Sequence, residues 1–187
     1  MRKLFAIVFA ATILTIGSSA AFAQMMKQDP MVGGAAMYPS KTIVANAVNS
    51  ADHTTLVAAV KAAGLVDTLN SKGPFTVFAP TNSAFDQLPA GTVDTLLKPE
   101  NKAMLTKILT YHVVSGRYDS KALAKLIKKG KGQAWLKTVS GGKLTVMKVG
   151  GNIVVRDEKG GTSTVTIGDV YQSNGVIHVV NAVLLPN

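Results

Sequence analysis

Residues 75–85 read Phe75-Thr76-Val77-Phe78-Ala79-Pro80-Thr81-Asn82-Ser83-Ala84-Phe85 and join a strand to a helix. The run from Phe75 to Ala79 is short, apolar and rich in β-formers, which is typical of a buried strand. Pro80 fixes the backbone directly after it. Thr81 or Asn82 can then accept a hydrogen bond from the first N–H groups of a helix. We predict a rigid strand-to-helix junction here.

The stretch from Val176 to Leu185 is the natural partner of that strand. It is almost entirely apolar, which favours a central strand buried on both faces. A central strand must pair with another strand, and Phe75–Ala79 is the suitable early segment. We therefore predict that the end of the chain pairs with residues 75–79.

The periodicity of the chain changes after Gly132. Before it, apolar residues recur at helical spacing, beginning with Lys41–Val48. After it, apolar residues alternate along segments separated by Gly-rich hairpin signals such as Ser140-Gly141-Gly142. Helices first and strands later predict an α+β fold in which an antiparallel meander closes the core. The predicted late strands are Ala134–Val139, Lys143–Val149, Asn152–Arg156, Thr162–Ile167 and Val176–Leu185.

One predicted helix carries a stripe of lysines. Asp119 is suited to cap Ser120–Lys129, and Gly130 to end it. Helical spacing turns Leu123, Leu126 and Ile127 inward and Lys121, Lys125 and Lys128 outward. The pattern predicts an amphipathic helix with a cationic outer face.

The first residues of the chain predict export. Arg2 and Lys3 precede an apolar run, and Ala21-Phe22-Ala23 is a small-x-small cleavage site, an order typical of a secretory signal peptide. We assign residues 1–23 to this peptide, 24–39 to a flexible Met-containing linker, and 40–187 to one domain. No later stretch reaches the roughly 20 apolar residues of a membrane span. We expect a periplasmic or extracellular protein, and one that is a monomer.

Positive charge is concentrated in one third of the sequence. The chain has 20 Lys and Arg against 10 Asp and Glu. Twelve of the basic residues and only Glu100 and Asp119 lie between Lys98 and Lys148. Such asymmetry favours an anionic partner, although lysine is also an ordinary solubilising residue. Because export argues against nucleic acid, the candidate partners are anionic polysaccharide, lipid headgroups or a surface protein.

Three segments resemble signature blocks of the fasciclin, or FAS1, domain family in its single-domain secreted bacterial form. They are Phe75–Phe85, Tyr111-His112 and Asn174–Pro186, and the likeness extends from Lys41 to Asn187. One departure is Asn181, where many members carry Asp. The resemblance implies a β-wedge or sandwich of mainly antiparallel strands, with several short helices along one side.

The resemblance also implies a role in cell adhesion, extracellular-matrix contact or surface interaction. In some members the Tyr-His region is implicated in partner binding, and others carry a carotenoid or another apolar ligand. Carriage of a small apolar ligand, a carotenoid or lipid, is thus an alternative function. The opposing interpretation of Tyr111-His112 is structural, with a buried His112 bonded to backbone. The candidate partner-binding residues are Tyr111, His112, Lys121, Lys125, Lys128, Lys129, Lys131 and Lys137.

Catalytic signals are weak. The three histidines, His53, His112 and His178, lie far apart and share no metal-ligand spacing. Asp157 and Glu158 are adjacent, so a strand would point them to opposite faces. The chain also lacks cysteine and a G-x-S-x-G nucleophile elbow. We expect a non-enzymatic protein with no catalytic residue, metal site or cofactor.

Overall fold

The computed structural model describes residues 29–187. The predicted signal peptide and residues 24–28 of the predicted linker lie outside the described residues. Seven α-helices and two short 3₁₀ turns, at Ala51–His53 and Pro99–Asn101, are present in the described range. The helices are α1 (Ile43–Ala47), α2 (Thr54–Ala63), α3 (Val66–Asn70), α4 (Asn82–Asp86), α5 (Thr92–Leu96), α6 (Lys102–Tyr111) and α7 (Ser120–Lys129).

Nine strands form a small hairpin and one large sheet within the described residues. The large sheet has the order β4-β3-β9-β8-β7-β6-β5, and all its neighbours are antiparallel except β3 and β9. This arrangement, with short helices packed against it, confirms the predicted α+β wedge. The strands are β1 (Met31–Val32), β2 (Ala35–Ala36), β3 (Phe75–Pro80), β4 (Val113–Ser115), β5 (Gln133–Lys137), β6 (Lys143–Val149), β7 (Asn152–Arg156), β8 (Thr162–Gln172) and β9 (Gly175–Val180).

The predicted pairing of the early and late strands is confirmed. β3 and β9 run parallel in the interior of the sheet, with Phe75 opposite Gly175. A Cβ at Gly175 would lie 2.3 Å from the carbonyl oxygen of Phe75. The two backbones approach so closely that only glycine fits at this end of β9.

The central strands lie between two apolar cores. Val77, Ile177 and Val179 face the first core, which the helices α1, α2, α3 and α6 complete. Phe78 and Val180 face the second core, which also contains Leu123 of α7 and inward residues of β5, β6 and β7. Burial on both faces explains why β3 and β9 are continuous apolar runs rather than alternating ones.

The two outer strands of the sheet meet at one point. Val114 of β4 forms a bridge with Thr138, just after β5. The N–H of Val139 donates to the carbonyl of Val113 at 2.8 Å. The sheet therefore curls until its edges touch there, and the edges separate away from this contact.

The junction at residues 75–85 forms as predicted. The hydroxyl of Thr81 accepts a hydrogen bond from the N–H of Ala84 at 3.3 Å and caps α4. Asn82 instead connects α4 to the preceding helices. Its Oδ1 accepts from the N–H of Thr55, and its Nδ2 donates to the carbonyl of Ala51.

The prediction of a flexible linker is wrong for its described part. Residues 31–36 form the hairpin β1-β2, and Met37 beyond it is only 2% exposed. Val32 is buried beside it in the first core. The folded domain therefore begins before Ser40, because burial of these apolar side chains holds the segment against α1 and α2.

Candidate functional site

Tyr111 lies inside the second core. It closes α6, is 0% exposed, and its hydroxyl bridges two turns of the meander. The hydroxyl donates to the carbonyl of Lys143 at 2.9 Å and accepts from the N–H of Glu158 at 3.0 Å. Burial raises the pKa of Tyr111 to about 12. The phenol is therefore neutral and connects the start of β6 to the turn between β7 and β8.

His112 is 3% exposed and is bonded to backbone through both ring nitrogens. Its Nε2 accepts from the N–H of Leu184 at 3.0 Å, because an amide can only donate. Its Nδ1 therefore carries the proton and donates to the carbonyl of Ile108 at 2.8 Å. Burial lowers the pKa of His112 to about 4, so the ring is neutral near pH 7.

The predicted contact of Tyr111 and His112 with a partner does not fit this geometry. Both side chains are buried and their polar atoms already bond to backbone. A partner could reach them only if the helix α6 and the C-terminal segment separated. The structural interpretation of the Tyr-His pair is the one that the structure supports.

The helix α7 forms as predicted and presents its lysines outward. The carboxylate of Asp119 accepts from the N–H of Ala122 at 2.8 Å and caps the helix. Leu123 and Ile127 are buried against the sheet. The side chains of Lys121, Lys125, Lys128 and Lys129 are all exposed. Lys128 and Lys129 lie in the last turn, where cations interact favourably with the helix dipole.

Two further predicted lysines lie on the segment that follows this helix. Lys131 follows it, and Lys137 ends β5, against which α7 packs. Both are exposed, and Lys137 pairs across the sheet with Lys143. We call the six predicted lysines, on α7 and on the segment that follows it, the basic face.

Trp135 is a surface feature that the sequence analysis did not single out. It is 64% exposed on β5, between the buried Leu136 and the half-buried Ala134. The Nζ of Lys143 lies 4.7 Å from the centroid of its ring, a cation–π contact. Alternation along a strand predicts that Trp135 and Leu136 point to opposite faces of the sheet. It does not predict that the face of Trp135 is exposed to solvent.

Trp135 borders an open groove of about 490 Å³, where β4 and β5 separate. Among the described residues that line it, one is a cation, Lys137, and none is a carboxylate. We call this the tryptophan groove. Its lining residues are Val114, Ser115, Tyr118, Leu126, Trp135, Leu136, Lys137, Thr138 and Val139.

A second, apolar cavity lies between the helices and the sheet. Its volume is about 70 Å³, and its lining includes Val32, Met37, Leu56 and Ile177. An engineered apolar cavity that admits benzene has roughly 150 Å³. In this conformation the cavity has no room for a carotenoid or a lipid tail.

The remaining titratable candidates make structural contacts. The Nε2 of His178 donates to the carbonyl of Tyr118 at 2.7 Å, and the ring stacks on Phe78. Asp157 accepts from the N–H groups of Gly161 and Leu185. Within residues 29–187 no group of three or more His, Cys, Asp or Glu is placed to hold a metal. None of the helices in that range is long and apolar enough to cross a membrane.

The fold and the surface define an α+β wedge domain with a buried Tyr-His pair and a basic outer face. The chain belongs to the fasciclin domain family, whose model matches residues 51–186.

Known proteins share this similarity along most of the chain. Protein sll1483 of Synechocystis sp. is 47% identical over 160 residues, covering 86% of this chain and 82% of that protein. Immunogenic protein MPB70 of Mycobacterium bovis is 37% identical over 163 residues, covering 87% of this chain and 72% of that protein. A solved FAS1 domain pair from the insect cell adhesion molecule Fasciclin I matches with a TM-score of 0.68 and 22% identity. That match covers 78% of this chain and 51% of the other.

Proposed function

We propose that this chain is a non-enzymatic adhesion and surface-interaction domain that acts in the periplasm or outside the cell. In this proposal it works as a monomer and binds an anionic partner through the basic face. Membership in the fasciclin family supports the general role, since a structural relative is named as a cell adhesion molecule. The predicted signal peptide supports the location.

The observation that carries the proposal is the exposure of six lysines, four on α7 and two on the segment that follows it. A surface of one charge attracts and concentrates partners of the opposite charge. Because these lysines are in solvent, their attraction is screened over about 10 Å at 0.1 M salt. Binding should therefore weaken steeply as the salt concentration rises.

The test is a charge reversal on the outer face of α7. Lys121, Lys125 and Lys128 are replaced by Glu, which keeps helix propensity and leaves the buried Leu123 and Ile127 unchanged. The matched control replaces Lys72, Lys98 and Lys102, which are exposed elsewhere, and changes the net charge equally. Binding is measured to polygalacturonate, to polyglutamate and to phosphatidylglycerol vesicles at low and high salt.

We expect binding of at least one probe to disappear with the α7 reversal and to survive the control. If both variants bind like the unchanged protein, or if no probe binds at low salt, the basic face is not a binding surface. Equal loss in both variants indicates a response to net charge alone and also contradicts the proposal.

Carriage of a small apolar ligand is the weaker proposal. The predominantly apolar lining of the cavity favours it, and the volume of about 70 Å³ opposes it, because a carotenoid requires the helices to move. Visible absorbance or an extractable lipid mass in the purified protein would support carriage. A colourless protein that releases no such mass would contradict it.

A further inference from the structure

We infer that the tryptophan groove is a subsite for an acidic polysaccharide, in which a uronic acid ring stacks on Trp135 and its carboxylate lies against lysine. This inference rests on the proposed function and deepens it, because it names the chemical class of the anionic partner. Stacking of the sugar ring on Trp135 adds a non-electrostatic contact to the charge interactions of the basic face.

The position of Trp135 provides a free aromatic surface. Its neighbour Leu136 is buried in the second core, so alternation along β5 turns the indole to the outside. Lys143 lies over one face of the ring, with Nζ 4.7 Å from the centroid. The opposite face remains available, in keeping with the 64% exposure of the side chain.

The shape of the groove suits a chain rather than a flat surface. Its two walls are β4 and β5, which touch at Val114 and Thr138 and then diverge. Leu126 of α7 and Tyr118 also line it. The volume of about 490 Å³ is within the 300–1,000 Å³ typical of ligand sites. A bilayer cannot enter a concavity of this kind, whereas a polymer chain can lie along it.

The lining matches the chemistry of an acidic sugar. A pyranose ring has an apolar C–H face that packs on an aromatic ring, and hydroxyls that need hydrogen-bond partners. The groove offers the indole of Trp135 for the apolar ring face, and the hydroxyl of Ser115 for the sugar hydroxyls. Lys137 in the groove and Lys143 over the indole supply charge for a carboxylate. An acidic peptide shares the carboxylate but lacks the apolar ring face.

The experiment uses the single tryptophan of the chain as its own reporter. The purified protein is titrated with polygalacturonate while its fluorescence is recorded, and with polyglutamate as a carboxylate polymer without sugar rings. We expect the tryptophan emission to change with polygalacturonate in particular. Calorimetry then compares the unchanged protein with Trp135→Ala and Trp135→Phe.

Trp135→Ala should bind polygalacturonate about tenfold more weakly, the size of effect expected of a contact residue of this kind. Its binding to polyglutamate should be unchanged, and Trp135→Phe should retain most of the polygalacturonate affinity. The matched control is Met104→Ala, an exposed apolar side chain on α6 that is 58% exposed. This variant should bind both polymers normally.

The outcomes separate this inference from the proposed function. If charge reversal on α7 abolishes binding while Trp135→Ala binds polygalacturonate normally, the sugar subsite is wrong and the basic face stands. If Trp135→Ala weakens the binding of both polymers equally, or weakens only binding to phosphatidylglycerol vesicles, the inferred stacking on a sugar ring is again wrong. If the unchanged protein binds no polyanion at low salt, both proposals fail.

Discussion

The Nε2 atom of His112 accepts a hydrogen bond of 3.0 Å from the backbone N–H of Leu184, 72 residues further along the chain. This bond attaches the C-terminal segment to the end of α6. It requires a neutral imidazole, since a protonated Nε2 carries a hydrogen that would face the N–H of Leu184. The stability of the domain should therefore depend on the protonation of His112.

We expect the free energy of unfolding to decrease as the pH falls from 6.5 to about 4. Burial lowers the pKa of His112, so in this range the unfolded chain binds a proton that the folded chain rejects. The stabilisation is complete above pH 6.5 and is lost toward pH 4, by about 3 kcal/mol. His53 and His178 act in the same direction, because burial lowers their pKa values as well. Urea unfolding across this range measures the effect.

The control for this pH dependence is His112→Gln. Its amide oxygen can accept from Leu184 and does not titrate. The variant should be less stable at neutral pH and should show a shallower pH dependence than the unchanged protein. An identical slope in both proteins would show that His112 is not the group responsible.

Removing the hydroxyl of Tyr111 should destabilise the meander. Tyr111→Phe leaves the carbonyl of Lys143 and the N–H of Glu158 without their partner. The expected cost is about 1–3 kcal/mol, the usual range for an unsatisfied buried polar group. Tyr118→Phe is the matched control, since the Tyr118 hydroxyl makes no hydrogen bond within the described residues. Equal midpoints of urea unfolding in the two variants would contradict this role of Tyr111.

Met31 and Met37, the methionines in the described part of the N-terminal segment, should differ sharply in their effect on stability. Met37→Ala should cost about 2–5 kcal/mol, because it leaves a cavity in the first core. Met31→Ala should change stability by less than about 0.5 kcal/mol, since Met31 is 55% exposed. Thermal unfolding of both variants measures the difference. If Met37→Ala is also neutral, the segment does not belong to the domain in solution.

Gly175→Ala should separate the central strands. The new methyl group would lie 2.3 Å from the carbonyl oxygen of Phe75, which is backbone and cannot rotate away. We expect a loss of about 1–3 kcal/mol or a failure to fold. Gly168→Ala is the comparison, because its nearest contact is the side chain of His178 at 3.4 Å. Calorimetric unfolding should show the smaller loss for Gly168→Ala.

The parts of the fold that sequence predicts well are those with strong local signals. The helix α7 begins and ends where Asp119 and Gly130 predict, because a cap, a stop and an apolar stripe agree. The strands β6 and β7 also match their predicted bounds, since hairpin glycines delimit them. The pairing of β3 with β9 follows from their apolar composition.

Other features depend on contacts that local patterns do not contain. The polar Asn46 is buried in α1, whereas the apolar Val48 just after the helix is 49% exposed. The amide of Asn46 bonds to the carbonyl of Tyr38 and to the side chain of Gln172, which only the folded chain brings near. The burial of Tyr111 and Met37 is likewise decided by distant partners. The predicted strand 176–185 ends at Val180, after which the chain bends to place Leu184 beside His112.

The parallel contact between β3 and β9 has a consequence for the order in which the molecule assembles. Thr76 pairs with Val176, so these two strands cannot join until the 100 positions that separate them have been synthesised. Closing so long a loop is slow, and chains dominated by such contacts fold late. A chain that folds late remains extended for longer and can still be threaded through a narrow channel.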